Sequence, residues 1–189
     1  MTATVGNSTR NDLLRAARSR FLRGERLDVA GLAREVGISR ATAYRWVGNG
    51  DELVGAIVAG IAEETFRRCV AKARGQGAER ILDVMERGMR AVIGSEPYRS
   101  FLERDPPRAL RLVASKDGPS QGRMIELHQE LLEEETARGA IELAVDSHTM
   151  AYALVRTAES FMYADLIAGE RPDVAKAVEI LRLLLTARP

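Results

Sequence analysis

The 189-residue sequence has one cysteine, Cys69, which excludes an intramolecular disulfide and a cysteine-based metal cluster. Its two histidines, His128 and His148, lie far apart and give no zinc spacing. Aromatic residues make up only 5% of the chain, and alternating Val/Ile/Thr-rich runs are scarce, so no strand signal emerges. There is no repeat and no low-complexity tract. No apolar run approaches the roughly 18 residues of a membrane span. The N-terminal stretch MTATVGNSTRNDLL lacks the apolar segment of a signal peptide, so a cytoplasmic location without a membrane partner is expected. Nucleophile elbow, metal-ligand spacing and phosphate-binding glycine loop are all missing, so an enzyme is unsupported and neither metal nor cofactor is expected.

What is present reads as a globular helical protein. Apolar residues make up 46% and charged residues 29%, and Leu, Ala, Arg and Glu dominate. The net charge of +1 hides an asymmetry. Residues 1–50 hold nine arginines and four acids, a net +5, while the remainder holds 19 basic and 23 acidic residues, a net −4. A basic head on an acidic body suits a polyanionic partner; a solvated arginine-rich helix face would look the same from charge alone.

Periodicity and caps give about nine or ten helices. Leu13, Leu14, Ala17, Phe21 and Leu22 recur at helical spacing, with Thr9 as cap and Gly24 as stop. Asp28 caps a short second helix, Gly37 makes the turn, and Ser39 caps a third over roughly 40–47. Asn49 and Glu52 form a capping box for a long fourth helix with Leu53, Ile57, Ile61 and Phe66 inward. Gly75-Gln76-Gly77 reads as a hinge between head and body. Later helices fall around 81–92, 96–104 and 109–115, then a turn at Lys116-Asp117-Gly118-Pro119, a long helix closed by Gly139, one from Asp146 to about Ala168, and a last one capped by Asp173. The expected division is 1–50 for DNA binding and 51–189 for ligand binding and dimerisation.

Two short helices joined by a tight glycine turn, after a longer first helix, form a helix-turn-helix. Its second helix enters the major groove with N-terminal residues on base edges. Here these are Ser39, Arg40, Ala41 and Thr42, with small Ala41 and Ala43 letting the helix sink close. Arg40 can reach a guanine edge or a phosphate. Tyr44 and Arg45 lie one turn on, where they can hold phosphate and set register. Trp46 can brace the backbone contact or pack between helices. Asn49 and Gly50 open the fourth helix, whose N–H groups offer a phosphate seat.

The stretch LDVAGLAREVGISRATAYRWVGNGDELVGAIV resembles the DNA-binding head of the TetR family of bacterial transcriptional regulators. Leu32-Ala33, Gly37-Ile38-Ser39, Thr42, Tyr44, Val47, Asn49 and Leu53 carry the match, over roughly residues 9–60. The resemblance implies an Ω-shaped homodimer whose head binds double-stranded operator DNA and whose body holds a small-molecule inducer. Two positions depart from the pattern. Gly50 stands where many relatives have a phosphate-contacting lysine, and Asp28-Val29 where many have a threonine. A shallower salt dependence of DNA binding is therefore expected.

In the body, the rows Ala151/Val155/Ala158/Met162 and Val178/Leu181/Leu185 can pair with a second copy or serve the intrachain core; the resemblance implies the former, as a four-helix bundle. Phe66, Met85, Met89, Tyr98, Phe101, Leu102, Leu112 and Met124 are candidate apolar walls of a ligand cavity. Tyr152, Arg156, Glu159 and Tyr163, at steps of four, three and four, form a polar-aromatic stripe that either lines this cavity or faces solvent. His128 sits within an apolar row, as ligand contact or as core histidine. The expected effector is mostly hydrophobic with a polar head, such as an acyl lactone, by loose similarity to lactone-responsive family members. The competing reading is an effector-less or partner-regulated DNA-binding dimer, which a solid body would favour.

Overall fold

In the computed structural model, residues 9–116 and 118–187 are described, and they form eleven helices and no strand. Three short helices make the head: α1 (Arg10–Leu22), α2 (Val29–Glu35) and α3 (Arg40–Val47). The long α4 (Gly50–Lys72) leads out of it into α5 (Ala78–Ile93), α6 (Glu96–Arg104), α7 (Pro106–Ala114), α8 (Gln121–Ala137), α9 (Ser147–Met162), α10 (Ala164–Ile167) and α11 (Val174–Thr186). The eleventh helix arises because the segment expected to run from Asp146 to Ala168 breaks at Tyr163. That break accompanies the burial of the Tyr163 ring. Within the expected Lys116–Pro119 turn, Asp117 lies outside the described residues, as does the N-terminal stretch before Thr9.

Local chemistry sets the starts of these helices. Thr9 and Asp12 close a reciprocal capping box on α1. Asp28 accepts from the amides of Ala30 and Gly31, and Ser39 from that of Thr42. Asn49 accepts from the amides of Asp51 and Glu52. Its Nδ2 donates to Glu52 Oε1 at 2.6 Å, so this box closes through the Asn49 side chain. Asp105 ends α6 and also caps α7. Gly48, with φ of 67° and ψ of −148°, holds a backbone conformation that strains any residue with a Cβ. Gly50 is unconstrained, since nothing lies within 4 Å of a Cβ placed on it.

Two hydrophobic cores meet along α4. The first joins Leu13, Phe21, Leu32, Ala43, Val47 and Leu53–Val58 of α4 to Leu102, Ala109 and Val113 of α6 and α7. The second joins Phe66 and Cys69, further along α4, to α5, α8, α9 and α11. α8 and α9 run antiparallel, with Gln121 bonded to Glu159 at one end and Gln129 to His148 at the other. Ala151, Val155 and Ala158, with Leu181 and Leu185, are buried in this second core, and Met162 and Val178 pack half-buried on the cores. Both rows considered for a dimer surface are thus intrachain packing.

Gly75–Gly77 is not a hinge between head and body. It is the α4–α5 turn, inside the body, and it is pinned. The Gly77 amide donates to Glu135 Oε2 at 2.6 Å, and a Cβ on Gly77 would meet the Ala140 carbonyl oxygen at 2.1 Å. Glu135 is fully buried and bonded also by Arg80, with Arg138 3.1 Å away. Burial pushes its carboxyl up, but the Gly77 amide and the two arginines outweigh that and hold it below the usual carboxylate range.

Candidate functional site

The outer face of α3 presents Arg40, Ala41, Tyr44 and Arg45, all exposed. Those positions lie at i, i+1, i+4 and i+5, one side of a helix. Ala43, expected beside Ala41 on this face, is instead completely buried in the head core. Thr42 is half-buried, its hydroxyl 2.9 Å from that of Ser39, so both side chains are committed to the cap. Trp46 is half-buried against the head core, and its carbonyl accepts from Arg10 Nε at 2.9 Å. Asn49 spends its side chain on the α4 cap. Of the amides there, those of Asp51 and Glu52 are also taken, which leaves Gly50 N–H as the donor of the expected phosphate seat without a partner among the described residues.

Ion pairing separates the head arginines into two sets. Arg15, Arg18, Arg20 and Arg23 of the α1 region face Asp12, Glu64, Glu35 and Glu25. Arg40 and Arg45 have no ion pair or hydrogen bond among the described residues. The ion-paired arginines of the α1 region therefore serve the fold, whereas the two on α3 flank Tyr44, 48% exposed, as unpaired cations; Arg26 and Arg34 likewise have no ion pair among the described residues.

A cavity of about 270 Å³ lies between the end of α1, α4, α5, α6, α7, α8 and α9. Phe66, Met85, Met89, Tyr98 and Met124 line it as expected, together with His128, Glu159 and Tyr163. Phe101, Leu102, Leu112 and Tyr152 do not. Leu102 is fully buried in the head core, and Phe101 packs its ring on Phe21 with centroids 5.7 Å apart. On α7 the wall is Val113, one residue and about 100° from Leu112. The stripe on α9 divides along its length. Tyr152 is 51% exposed because no described element covers it. Arg156 stands behind the wall, Glu159 is covered by the ends of α7 and α8, and Tyr163 is buried with its hydroxyl on Tyr98 of α6. The sequence reasoning missed Phe21 and Leu22, Val58, Ile61 and Thr65, Val84 and Val92, Ser120, Val155 and Met162. Apart from Thr65, these belong to apolar rows or caps that also read as plain core.

The polar groups of the wall gather near the start of α8. Ser120 is 4% exposed, and its hydroxyl has no partner among the described residues. Glu159 Oε2 accepts from Arg156 at 2.6 Å and Gln121 at 3.1 Å. Burial raises the Glu159 carboxyl, with Arg156 and Gln121 opposing. The Tyr98 and Tyr163 hydroxyls are 2.9 Å apart; burial pushes Tyr98 up to about 12 and Tyr163 well above its ordinary value, so both stay protonated. Further along α8, His128 Nδ1 lies 2.7 Å from the Met124 carbonyl, to which it must donate. Burial lowers its pKa to about 4, only partly offset by that bond, so the ring is neutral at pH 7 and Nε2 is a bare acceptor. It packs on Phe66 with centroids 4.8 Å apart.

Helix α7 touches both ends of this arrangement. The carbonyl of Ala114, its last residue, accepts from Arg156 and Gln121, each at 2.8 Å. On the same helix Arg108 and Arg111 bond Asp51, in the first turn of α4, at 2.6 and 2.8 Å. Arg104 of α6 donates to the Gly24 carbonyl at 2.9 Å.

A helix-turn-helix head carrying unpaired arginines, seated on a helical body with an apolar cavity, defines the class of helix-turn-helix transcription regulators. The chain belongs to the TetR family of transcriptional regulators, which are not enzymes: residues 76–186 match the model of the "Tetracyclin repressor-like, C-terminal domain". The chain is also similar to the R. erythropolis TetR-family transcriptional repressor QsdR, with 34% identity, TM-score 0.88 and 95% of each chain covered. The fold recurs in the TetR-family repressor AlkX from Dietzia sp. strain DQ12-45-1b, at 21% identity and TM-score 0.65, covering 95% of this chain and 96% of that one. It recurs again in FadR from Bacillus subtilis in complex with stearoyl-CoA, at 13% identity and TM-score 0.59, covering 96% and 100%. No curated protein matches. No helix among the described residues is long and apolar enough to cross a membrane, and they contain no cluster of metal-ligating side chains.

Proposed function

We propose that the protein is a transcriptional repressor that binds operator DNA as a homodimer through α3 and is released by a small, mostly hydrophobic effector in the body cavity. The carrying observation is the exposed face of Arg40, Ala41, Tyr44 and Arg45, where the two arginines are unpaired while Arg15, Arg18, Arg20 and Arg23 of the neighbouring α1 region are ion-paired. Residues 1–50 form the DNA-binding part and 51–189 the ligand-binding and dimerisation part. Arg40 reaches a base edge or phosphate, Tyr44 and Arg45 hold phosphate, and Gly50 N–H adds a backbone donor. The dimer surface is the outer side of α9 and α11, where Tyr152, Ile180 and Leu183 are exposed at 51, 39 and 66%. Such large apolar side chains on adjacent helices favour a second copy over water.

The effector acts through α7. A ligand that displaces Glu159 or its partners moves the Ala114 end, and the Arg108/Arg111–Asp51 contacts carry that movement to the start of α4. Operator binding needs recognition helices about 34–36 Å apart, so a few ångströms suffice, provided that the ligand binds the DNA-incompetent state more tightly. The cavity, at about 270 Å³ just below the roughly 300–1,000 Å³ usual for ligand sites, still favours this over an effector-less dimer with a solid body. AlkX is implicated in n-alkane biodegradation and FadR was solved with stearoyl-CoA, which is in keeping with an apolar effector here; an acyl lactone is the leading candidate.

The test uses duplexes selected by the protein from a random library. Arg40→Ala or Tyr44→Ala should weaken binding by about 1–3 kcal/mol. Unchanged affinity in both variants overturns the DNA-binding face, and a monomer by sedimentation at micromolar concentration overturns the dimer.

A further inference from the structure

The polar end of the cavity is a matched set of unused hydrogen-bonding groups, and this set limits the chemistry of the effector head. Ser120 holds the N-cap position of α8, yet its side chain makes no cap bond; the hydroxyl is buried in the wall without a partner among the described residues. A buried hydroxyl left bare is costly, and a bound carbonyl or N–H is the natural remedy. Across from it, both protein donors that reach Glu159 fall on Oε2, and no donor among the described residues reaches Oε1. In the Tyr98–Tyr163 pair one hydroxyl donates to the other, which leaves a single further O–H. The cluster thus offers O–H donors from Ser120 and one tyrosine beside an unfilled carboxylate acceptor.

We infer that the effector carries an uncharged head with both a carbonyl and an N–H or O–H donor, of the amide type, and that free carboxylates and donor-free esters are selected against. The inference rests on the effector reading above and narrows it. Ser120 donates to the carbonyl, and Glu159 Oε1 accepts from the N–H. A carboxylate head would bring a second negative charge against Glu159 with no donor for that oxygen to accept. The cation on the wall, Arg68, is exposed and already bonded to Glu64 and Thr65. An ester or plain lactone can take the Ser120 bond but leaves Glu159 Oε1 bare. An acyl lactone fits only when its chain is joined through an amide. The apolar tail then runs along α8 toward Met85, Met89 and Phe66. His128 stands eight residues from Ser120, about 12 Å along the helix, and so meets the tail rather than the head.

Full-length protein titrated by calorimetry with octanamide, octanoate and methyl octanoate tests this, together with release of the selected duplex. Octanamide should bind about tenfold or more tightly than either other probe. Ser120→Ala breaks no bond in the structure and should weaken octanamide binding by several-fold, up to about tenfold, while thermal stability without ligand stays the same or rises. Glu159→Gln should narrow the gap between octanoate and octanamide; if that variant unfolds through loss of its Arg156 pair, Ser120→Ala still decides. Octanoate or methyl octanoate binding as tightly as the amide overturns the inference and leaves the effector reading standing. Octanamide bound without release of DNA upholds the head chemistry and overturns the effector reading. Binding of none of the three overturns both.

Discussion

The two cores along α4 are built by different rules. The head core assembles α1, α2, α3 and the first turns of α4 mainly from residues close in sequence, each helix started by its own side-chain cap, and closes on Leu102, Ala109 and Val113 of α6 and α7. The body core is stitched by contacts between distant residues, and it buries charge. Glu135 joins α8 to the α4–α5 turn, and Glu159 joins α9 to α7 and α8 through Arg156 and Gln121. A locally built head can keep its shape while the body beneath it responds to a ligand. The cavity lies where the two meet, with Phe21 and Leu22 of the head in its wall.

The largest effect expected from breaking this contrast is in the body. Glu135→Ala leaves Arg80, with 14% of its side chain exposed, facing no buried carboxylate, and frees the Gly77 amide. A loss of about 3–5 kcal/mol in urea unfolding is expected. Trp46 fluorescence reports the head and far-UV circular dichroism the whole helical content. The two should give one transition, because α4 runs through both cores; separate midpoints would show that the head folds alone.

Next comes pH. With a folded pKa of about 4 against 6.5 in the unfolded chain, His128 takes up its proton only on unfolding between those values. Stability should therefore fall as pH drops from 6.5 to 4, by roughly 3 kcal/mol more in the wild type than in His128→Leu. Parallel stability curves for the two proteins would show that His128 is not a buried neutral ring.

In the head, Ser39→Ala removes the α3 cap and should cost about 1 kcal/mol, with DNA affinity falling in step. Gly50→Lys should be tolerated, since a Cβ there meets nothing within 4 Å. It should strengthen DNA binding and steepen the salt dependence by about one phosphate contact. No change in slope would mean that position 50 does not face the backbone.

The smallest effect on stability is expected at the joint. Arg108 and Arg111 are one-third or more exposed, so the Arg108→Gln/Arg111→Gln pair should change stability by less than about 1 kcal/mol. The same variant should need more effector to release DNA. An unchanged effector response would remove α7 from the route.

Much of the head was legible because its signals are local. Thr9, Asp28, Ser39 and Asn49 cap the helices they precede, and Gly37 and Gly48 sit where φ is positive. Even there, burial of Ala43 beside exposed Ala41 needed the packing of α3 on its neighbours. The cavity was half legible. Phe66, Met85, Met89, Tyr98, Met124 and His128 belong to apolar rows, but such rows do not tell a wall from solid core. Leu112 and Val113 are both apolar, and only the rotation of α7 about its axis chose Val113. The rows on α9 and α11 misled for the same reason: small apolar residues pack equally well on the chain's own helices.

By itself the sequence determined the capped helix starts of the head, the turn glycines and the arginine-rich α3, since caps, φ preferences and helical period act within a few residues. The tertiary structure alone decided which arginines are neutralised, which end of the α9 stripe is buried, and that Ser120 and Glu159 share one cavity wall. Those outcomes depend on what distant helices bring alongside. Burial and charge pairing are properties of the packed neighbours, and a linear order of residues does not contain them.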